Sequence, residues 1–257
     1  MKGEFVKIDE RVSIIIPVYI NKKDIYDITI QCLFSIVKTV DPCDVEIIIV
    51  DDGSREQKYI NLLKKIEKFS HIKIIHNDKN LGFAKTINNG IRESSNDLIL
   101  LLNNDVFIRD GNWLKHMVDS MKKYDIAAPA CGRLKRSNWT YIAGEAINNH
   151  QINDSNNIFY YPVGWCMMVR RYVFEEIGLI PEIFGQGFWE DSLFCYRAER
   201  AKFDMGIVDE LWANQDGAKI QHLYHTTFKS ENISLAAQYA NNRKIFIDVI
   251  KNEKQKV

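Results

Sequence analysis

The chain has 257 residues, 46% of them hydrophobic, and its 34 basic and 34 acidic side chains cancel to a net charge of zero. That length suits one large domain or two small ones and is ample for a sizeable core. Balanced charge gives no global field toward nucleic acid or an anionic membrane, so no nucleic-acid partner is expected. The basic tail Lys251, Lys254 and Lys256 is the one charge cluster at a terminus, and it reads as a solvated end with at most peripheral membrane contact.

The five cysteines (Cys32, Cys43, Cys131, Cys166, Cys195) are odd in number and include no C-x-x-C pair. They read as thiols in a reducing compartment rather than a zinc site or disulfide framework. Lys2, Glu4, Lys7, Asp9, Glu10 and Arg11 make the start too charged for a signal peptide, and no apolar run approaches membrane-spanning length. A soluble, cytoplasmic protein is expected, at most peripheral at the inner face of a membrane.

The first 107 residues alternate between strand and helix signals. Val12 to Val18 is apolar and β-branched. Residues 24–40 place Ile25, Ile28, Cys32, Leu33, Ile36, Val37 and Val40 on one helical face. Val45 to Val50 predicts a second strand, and Tyr59, Leu62, Leu63 and Ile66 a second helix. A third strand follows at Ile72 to Ile75, then a helix with Ala84, Ile87 and Ile91, then the apolar run Leu98 to Leu102. Such a β-α-β-α series argues for a parallel sheet with right-handed crossovers.

Beyond Val106 the pattern loosens. A helix is expected around Trp113 to Met121, strands and loops over 131–160, a strand from Val163 to Val169, and a helix from Tyr172 to Ile177 closed by Gly178. A helix over 190–201 would turn Leu193, Phe194, Arg197, Ala198 and Ala201 inward. A strand from Ala218 to Leu223 and a helix over about 234–250 complete the series. With no repeat and no linker, one domain with two functional halves is the economical reading, the halves over about 12–107 and about 108–232, followed by a C-terminal helix with its basic tail over about 233–257.

Four segments carry polar residues where open α/β sheets gather ligands, outside the carboxyl ends of their strands. Asp51-Asp52-Gly53-Ser54 follows the second strand. Adjacent carboxylates repel unless a positive or hydrogen-bond-donating group lies between them; the alternative is an Asp-Gly turn with an Asp cap. Lys79-Asn80-Leu81-Gly82-Phe83-Ala84-Lys85 opens a helix, where Gly82 permits close backbone approach and the helix start attracts phosphate. Asn103-Asn104-Asp105 ends the doubly buried fourth strand. Asp105 is a candidate ligand for a divalent metal that in turn holds a diphosphate, or else part of a strand-ending turn.

Gly187-Phe188-Trp189-Glu190-Asp191 runs into a helix start. Acidic residues there either answer the helix dipole or supply a general base on a rigid element. Trp189 either stacks on a sugar ring or joins the core. His222 and His225 follow the last predicted strand and either complete a metal shell or serve structure alone.

Taken together, these segments resemble the inverting nucleotide-sugar glycosyltransferases of family 2, whose fold is called GT-A. The resemblance rests on Ser13-Ile14-Ile15-Ile16-Pro17-Val18-Tyr19, Ile49-Val50-Asp51-Asp52-Gly53-Ser54, Asn80-Leu81-Gly82-Phe83-Ala84 with Asn88, and Leu101-Leu102-Asn103-Asn104-Asp105. It continues through Gly164-Trp165-Cys166-Met167-Met168-Val169-Arg170-Arg171 and Phe188-Trp189-Glu190-Asp191-Ser192-Leu193-Phe194-Cys195-Tyr196-Arg197. These motifs span about residues 12 to 230 in the family's order.

The resemblance implies an α/β GT-A fold: a Rossmann-like, mostly parallel central sheet flanked by helices, with an acceptor-side half of mixed strands and helices. Position by position, Pro17, Tyr19 and Asp52 resemble the residues that grip the base and ribose of the donor, with Asp51 as their neighbour. Asn80 and Gly82 resemble the loop that closes over the nucleotide. Asn103, Asn104 and Asp105 stand at the D-x-D motif, with Asp105 as metal ligand. Asn103 replaces the usual first Asp, as in a rhamnosyltransferase-like subgroup, and is read as a ribose partner.

Asp191 resembles the catalytic base with Glu190 beside it. Trp165 and Trp189 fall on the acceptor side. His225 resembles the histidine that completes the metal and diphosphate site, with His222 as the alternate. The implied activity is a metal-dependent (Mn2+ or Mg2+) inverting hexosyl or deoxyhexosyl transfer by single displacement. It runs from a nucleoside-diphosphate sugar to a hydroxyl of a glycan, lipid-linked or other glycoconjugate acceptor, and oligomerisation is left open. The rivals are a sugar-nucleotide nucleotidyltransferase and a non-catalytic nucleotide- or glycan-binding module. The first needs a Gly-rich basic loop after the first strand, where this chain has Pro17-Val18-Tyr19-Ile20-Asn21.

Overall fold

A computed structural model of the chain describes residues 5–131, 162–213, 218–223 and 234–254. Its first half has the expected alternation: β1 (Val12–Val18), α1 (Lys23–Val37), β2 (Val45–Asp51), α2 (Gln57–Ile66), β3 (Ile72–His76), α3 (Phe83–Glu93) and β4 (Leu98–Leu102). These strands pair in parallel, β3 with β2, β2 with β1, and β1 with β4. Parallel strands are covered on both faces by their crossovers, so alternate side chains of one strand feed two separate cores. Ile14, Ile16, Ile47, Ile49, Leu98 and Leu100 pack with Ile25, Cys32 and Ile36 of α1 on one face. Ile15, Ile48, Val50, Ile99 and Leu101 pack with Ala84, Ile87 and Ile91 of α3 on the other.

The second half contains β5 (Val106–Ile108), α4 (Trp113–Ser120), β6 (Ile126–Cys131), β7 (Cys166–Arg170), α5 (Arg171–Ile177) and a 3-10 turn (Glu182–Phe184). It continues through α6 (Glu190–Arg200), β8 (Met205–Ala213), β9 (Ile220–His222) and α7 (Leu235–Lys254). Among the described residues one sheet of nine strands runs β3-β2-β1-β4-β7-β6-β8-β9-β5. It turns from parallel to mixed where β7 lies antiparallel to β4, with Leu102 opposite Cys166. That register sets the carboxyl end of β4 beside the entry to β7.

Several expectations needed correction. The strand predicted from Val163 begins at Cys166, because Gly164 and Trp165 form a turn ahead of it. Arg197 does not line an apolar stripe of α6; its guanidinium pairs with Glu253 of α7 at 2.6 Å. β6 and β8 were not anticipated. Most of the region expected to hold strands and loops over 131–160 lies outside the described residues, as does Lys256 of the tail. A third apolar cluster joins α6 to α7 through Trp189, Leu193, Tyr196, Phe246 and Ile250. No helix among the described residues is long and apolar enough to cross a membrane.

Candidate active site

Hydrogen-bond donors resolve the repulsion expected between Asp51 and Asp52 at the end of β2. Asp51 accepts from the Ser54 amide at 3.1 Å and its other oxygen lies 3.1 Å from Nδ1 of His76. Asp52 turns the other way and accepts from Asn77 Nδ2 at 2.9 Å, Leu81 N at 2.8 Å and Gly82 N at 3.1 Å. The loop before α3 is thereby drawn onto the end of β2, and Asn80 Oδ1 also accepts from Gly82 N at 3.0 Å. Gly82 has φ +87, and a methyl group there would sit 2.5 Å from the carbonyl oxygen of Gly185. Only glycine meets both conditions cheaply. Pro17 and Tyr19 stand half-buried at the carboxyl end of β1, beside this loop's anchor.

Asp105 follows β4 and is 5% exposed. Its Oδ1 lies 3.1 Å from Nε2 of His222 at the end of β9. Nδ2 of Asn103 lies 3.3 Å from the same nitrogen, while Oδ1 of Asn103 is buried with no partner among the described residues. A neutral imidazole nitrogen either donates or accepts, so Nε2 satisfies one of these neighbours and not both. A cation held by the carboxylate and the imidazole lone pair would satisfy that corner, with the amide oxygen of Asn103 at hand. The donor set is oxygen and nitrogen, as Mg2+ and Mn2+ prefer. Among the described residues no cluster of three His, Cys, Asp or Glu side chains surrounds a point, so a diphosphate and water would supply the remaining ligands. Cys32 lies underneath, donating to the Asn103 carbonyl at 3.5 Å. Burial, with Asp105 adding to it, pushes its thiol up to about 12, which keeps it neutral. Asn104 turns away and ties the loop to α1 through Thr29 Oγ1 at 2.7 Å.

The acidic pair opens α6. Asp191 accepts from Gly164 N at 3.0 Å through Oδ2, and from Ser192 N at 2.8 Å through Oδ1. A methyl group on Gly164 would lie 3.1 Å from Cβ of Asp191, close enough that Asp191 would have to shift by a few tenths of an ångström to make room. Glu190 is 8% exposed, and its Oε2 finds no partner among the described residues. Burial first, and the Asp191 charge second, push the Glu190 carboxyl up to about 8. Burial also raises Asp191, against the hydrogen bonds from Gly164 and Ser192 that favour its ionised form. Backbone hydrogen bonds reach Glu190 as well, yet burial still leaves it at about 8, while the Gly164 and Ser192 donors favour ionised Asp191; the proton of the pair therefore belongs on Glu190 and the charge on Asp191.

This assignment fixes a pH dependence. Folded Glu190 keeps its proton to about 8, whereas its ordinary value is 4.5. The folded state binds the extra proton between those values, so stability falls as pH rises through that window. Glu190→Gln is the neutral isostere and should reduce that slope. Its thermal midpoint should match the parent's near pH 5 and exceed it above about pH 8; identical slopes in the two proteins would rule Glu190 out as the titrating group.

A continuous set of contacts joins the two corners. Asn103 N donates to the Trp165 carbonyl at 2.9 Å. The Trp165 ring stacks on His222 with centroids 5.0 Å apart, and Gly164 next to it holds Asp191. Trp165, expected on the acceptor side, is therefore buried between the acidic pair and the Asp105 corner, its Nε1 without a partner among the described residues. Trp189 takes the core alternative, 3% exposed against Tyr239 and Phe246. His222, the alternate histidine, is the one beside Asp105; His225 lies outside the described residues. Sequence reasoning gave no role to Gly164 or to Asn242 of α7, whose side chain holds the backbone ahead of Glu190.

That backbone is strained. Phe188 and Trp189 are consecutive non-glycine residues at φ 72 and 78, a conformation that costs about 1–3 kcal/mol per residue. Such outliers persist only where the surroundings over-determine them, commonly at functional sites.

Known proteins resemble this chain in sequence and in fold. The family described as "Glycosyl transferase family 2" matches residues 13–178, more than half of the chain. The low-salt glycan biosynthesis hexosyltransferase Agl10 of Haloferax volcanii is 27% identical, the match covering 88% of this chain and 75% of that protein. Among solved structures, a mannosyltransferase of Pyrobaculum calidifontis in complex with GDP-Man and Mn2+ superposes with a TM-score of 0.58 at 13% identity, over 77% of this chain and 54% of that one. GalNAc-T7 with UDP, GalNAc and Mn2+ superposes with a TM-score of 0.62 at 14% identity, over 84% of this chain and 44% of that one. The chain thus spans about half the length of these solved structures, and the likeness to them is one of fold. With its matched motifs and its mixed nine-stranded sheet of GT-A type, the chain belongs to glycosyl transferase family 2.

Proposed function

We propose that the protein is an inverting hexosyltransferase that moves a sugar from a nucleoside-diphosphate donor to a hydroxyl of a glycan or lipid-linked acceptor, at the cytoplasmic side and with at most peripheral membrane contact. The observation that carries this reading is the contact path from Asp105 through His222, Trp165 and Gly164 to Asp191. It puts a candidate diphosphate corner and an ionised, positioned carboxylate on one wall of the sheet's carboxyl edge. A glycan acceptor is supported by the likeness to a glycan biosynthesis hexosyltransferase.

In this reading the base and ribose lie along Pro17, Tyr19, Asp51 and Asp52, with the Asn80–Gly82 loop over them and Asn103 at the ribose side, while Asn104, bonded to Thr29, fixes the course of the loop after β4. Asp105 and His222 hold a divalent cation, as the Mn2+ in the two superposed transferases suggests. The chemistry a bound cation supplies is neutralisation of charge developing on the departing diphosphate. Asp191 takes the proton of the acceptor hydroxyl as it attacks the anomeric carbon. One in-line displacement inverts that centre. Retention would need a second nucleophile, and the neighbouring carboxyl, neutral to about 8, is a poor one. The Nε1–H of Trp165, without a partner among the described residues, is a donor available to a phosphate or sugar oxygen.

The test is a panel of nucleotide sugars incubated with Mn2+ or Mg2+ without acceptor, with released sugar followed by NMR. The expected result is slow, metal-dependent hydrolysis confined to donors of one base, and first-formed sugar of inverted configuration. Release of nucleoside triphosphate in the presence of diphosphate would favour the nucleotidyltransferase. Nucleotide binding without turnover, even with glycan acceptors, would make the protein a binding module.

A further inference from the structure

We propose that Asn242, on the C-terminal helix, is a positioning residue that holds the catalytic carboxylates in register. Its Nδ2 donates to three carbonyl oxygens of the segment ahead of α6: Phe184 at 2.8 Å, Gly187 at 2.7 Å and Phe188 at 3.2 Å. Gln238, one helical turn earlier on α7, donates to the same Phe184 carbonyl at 3.2 Å. Asn242 is 1% exposed, so no water competes for these bonds, and an amide whose two N–H groups converge on a folded loop sets its curvature rather than its surface.

The gripped segment is the one that is strained. Phe188 and Trp189 hold left-handed backbone angles next to Gly185 and Gly187, whose φ values are 68 and 149. Trp189 caps α6 from that conformation and its carbonyl accepts from Leu193 N at 3.0 Å. Released from Asn242, the two residues would relax toward negative φ and turn the first residues of α6. Glu190 and Asp191 are those residues, and Asp191 is held by the Gly164 and Ser192 amides and, at 3.4 Å, by the Ser192 hydroxyl. The same segment lies against the donor loop, with Gly185 O where a Cβ of Gly82 would be. α7 is thus the outer clamp on a strap that touches the donor loop at one end and carries the base at the other.

The inference rests on the reading of Asp191 as the base, and the experiment separates the two. Asn242→Asp keeps the shape and replaces both N–H donors with a carboxylate facing three carbonyls. Its kcat per folded molecule should fall about 10- to 100-fold, while the affinity for the nucleoside diphosphate with Mn2+, by calorimetry, stays within about twofold. Glu253→Gln, which breaks the Arg197 pair elsewhere on α7, should lower the thermal midpoint and leave kcat unchanged, separating positioning from general loosening of the helix. If Asn242→Asp does not fold, Asn242→Ser carries the test, because its shorter hydroxyl also fails to span the three carbonyls. A parental kcat in a folded Asn242 variant overturns the proposal, as does a loss of nucleotide affinity equal to the loss of kcat. Should Asp191→Asn remain active, the base assignment falls instead; should it be inactive while the Asn242 variant is active, only the positioning role falls.

Discussion

Asp191→Asn is expected to lower the rate of sugar transfer by about 10²–10⁴-fold, the contribution of a positioned general base, and to leave nucleoside-diphosphate binding nearly intact. The substitution is close to isosteric, and its cost to the fold is bounded by the bonds it breaks. Two backbone amides, Gly164 N and Ser192 N, converge on the two carboxylate oxygens, and an amide offers one acceptor. One N–H is then left facing an NH2 group, which costs about 1–3 kcal/mol. Against that, the variant no longer buries a charge that burial already disfavours. Stability should therefore change little while chemistry collapses.

The acid side of the pH–rate profile provides a second check. Burial holds Asp191 above its ordinary value of 3.8, so activity should fall with decreasing pH at values above those of a solvent-exposed aspartate. Single-turnover transfer and calorimetry on the same samples separate the outcomes. Full transfer by the variant would remove Asp191 from the chemistry, and parallel loss of transfer and nucleotide affinity would move it to the donor site.

The parallel half of the fold was legible because each of its signals is local. β1, β2 and β4 are apolar runs long enough to be strands and too short to be helices, and α1 and α3 carry stripes at helical spacing. The mixed half was not. β6 reads Ile-Ala-Ala-Pro-Ala-Cys, poor in strand formers, and β8 breaks up Ile207, Val208 and Trp212 with Gly206, Asp209 and Glu210, so the pairing of both depends on neighbours across the sheet. The local geometry of the candidate site was legible where a backbone position demands a residue type, as at Gly82, or where acidic residues mark a helix start, as at Glu190-Asp191. It was opaque where a role depends on what lies across the fold. Asn242 sits mid-helix beside Asn241 with nothing local to distinguish the two, although one is 1% exposed and bonds a loop more than fifty residues away in sequence. The place of His222 beside Asp105 likewise depends on the antiparallel β5–β9 pairing, which sets Val106 opposite His222.

Asp105→Ala is expected to abolish the metal-dependent part of donor binding and to reduce transfer by at least about 10²-fold, the scale on which electrostatic stabilisation of a developing charge acts. Asp105 anchors its loop through the backbone rather than the carboxylate. Its main-chain carbonyl accepts from Leu223 N at 3.1 Å, and that bond survives the substitution, so the loop after β4 keeps its course. What is lost is the carboxylate 3.1 Å from Nε2 of His222, leaving an imidazole and a carboxamide that bind a hard cation weakly. Calorimetry of the nucleoside diphosphate with Mn2+ and then with excess chelator should show a large difference for the parent and none for the variant. His222→Ala should diminish the same difference without erasing it, because the carboxylate remains. If instead the Asp105 variant keeps the full metal increment, the cation is held elsewhere, and Asp105 reverts to a strand-ending carboxylate that orients His222 against Trp165.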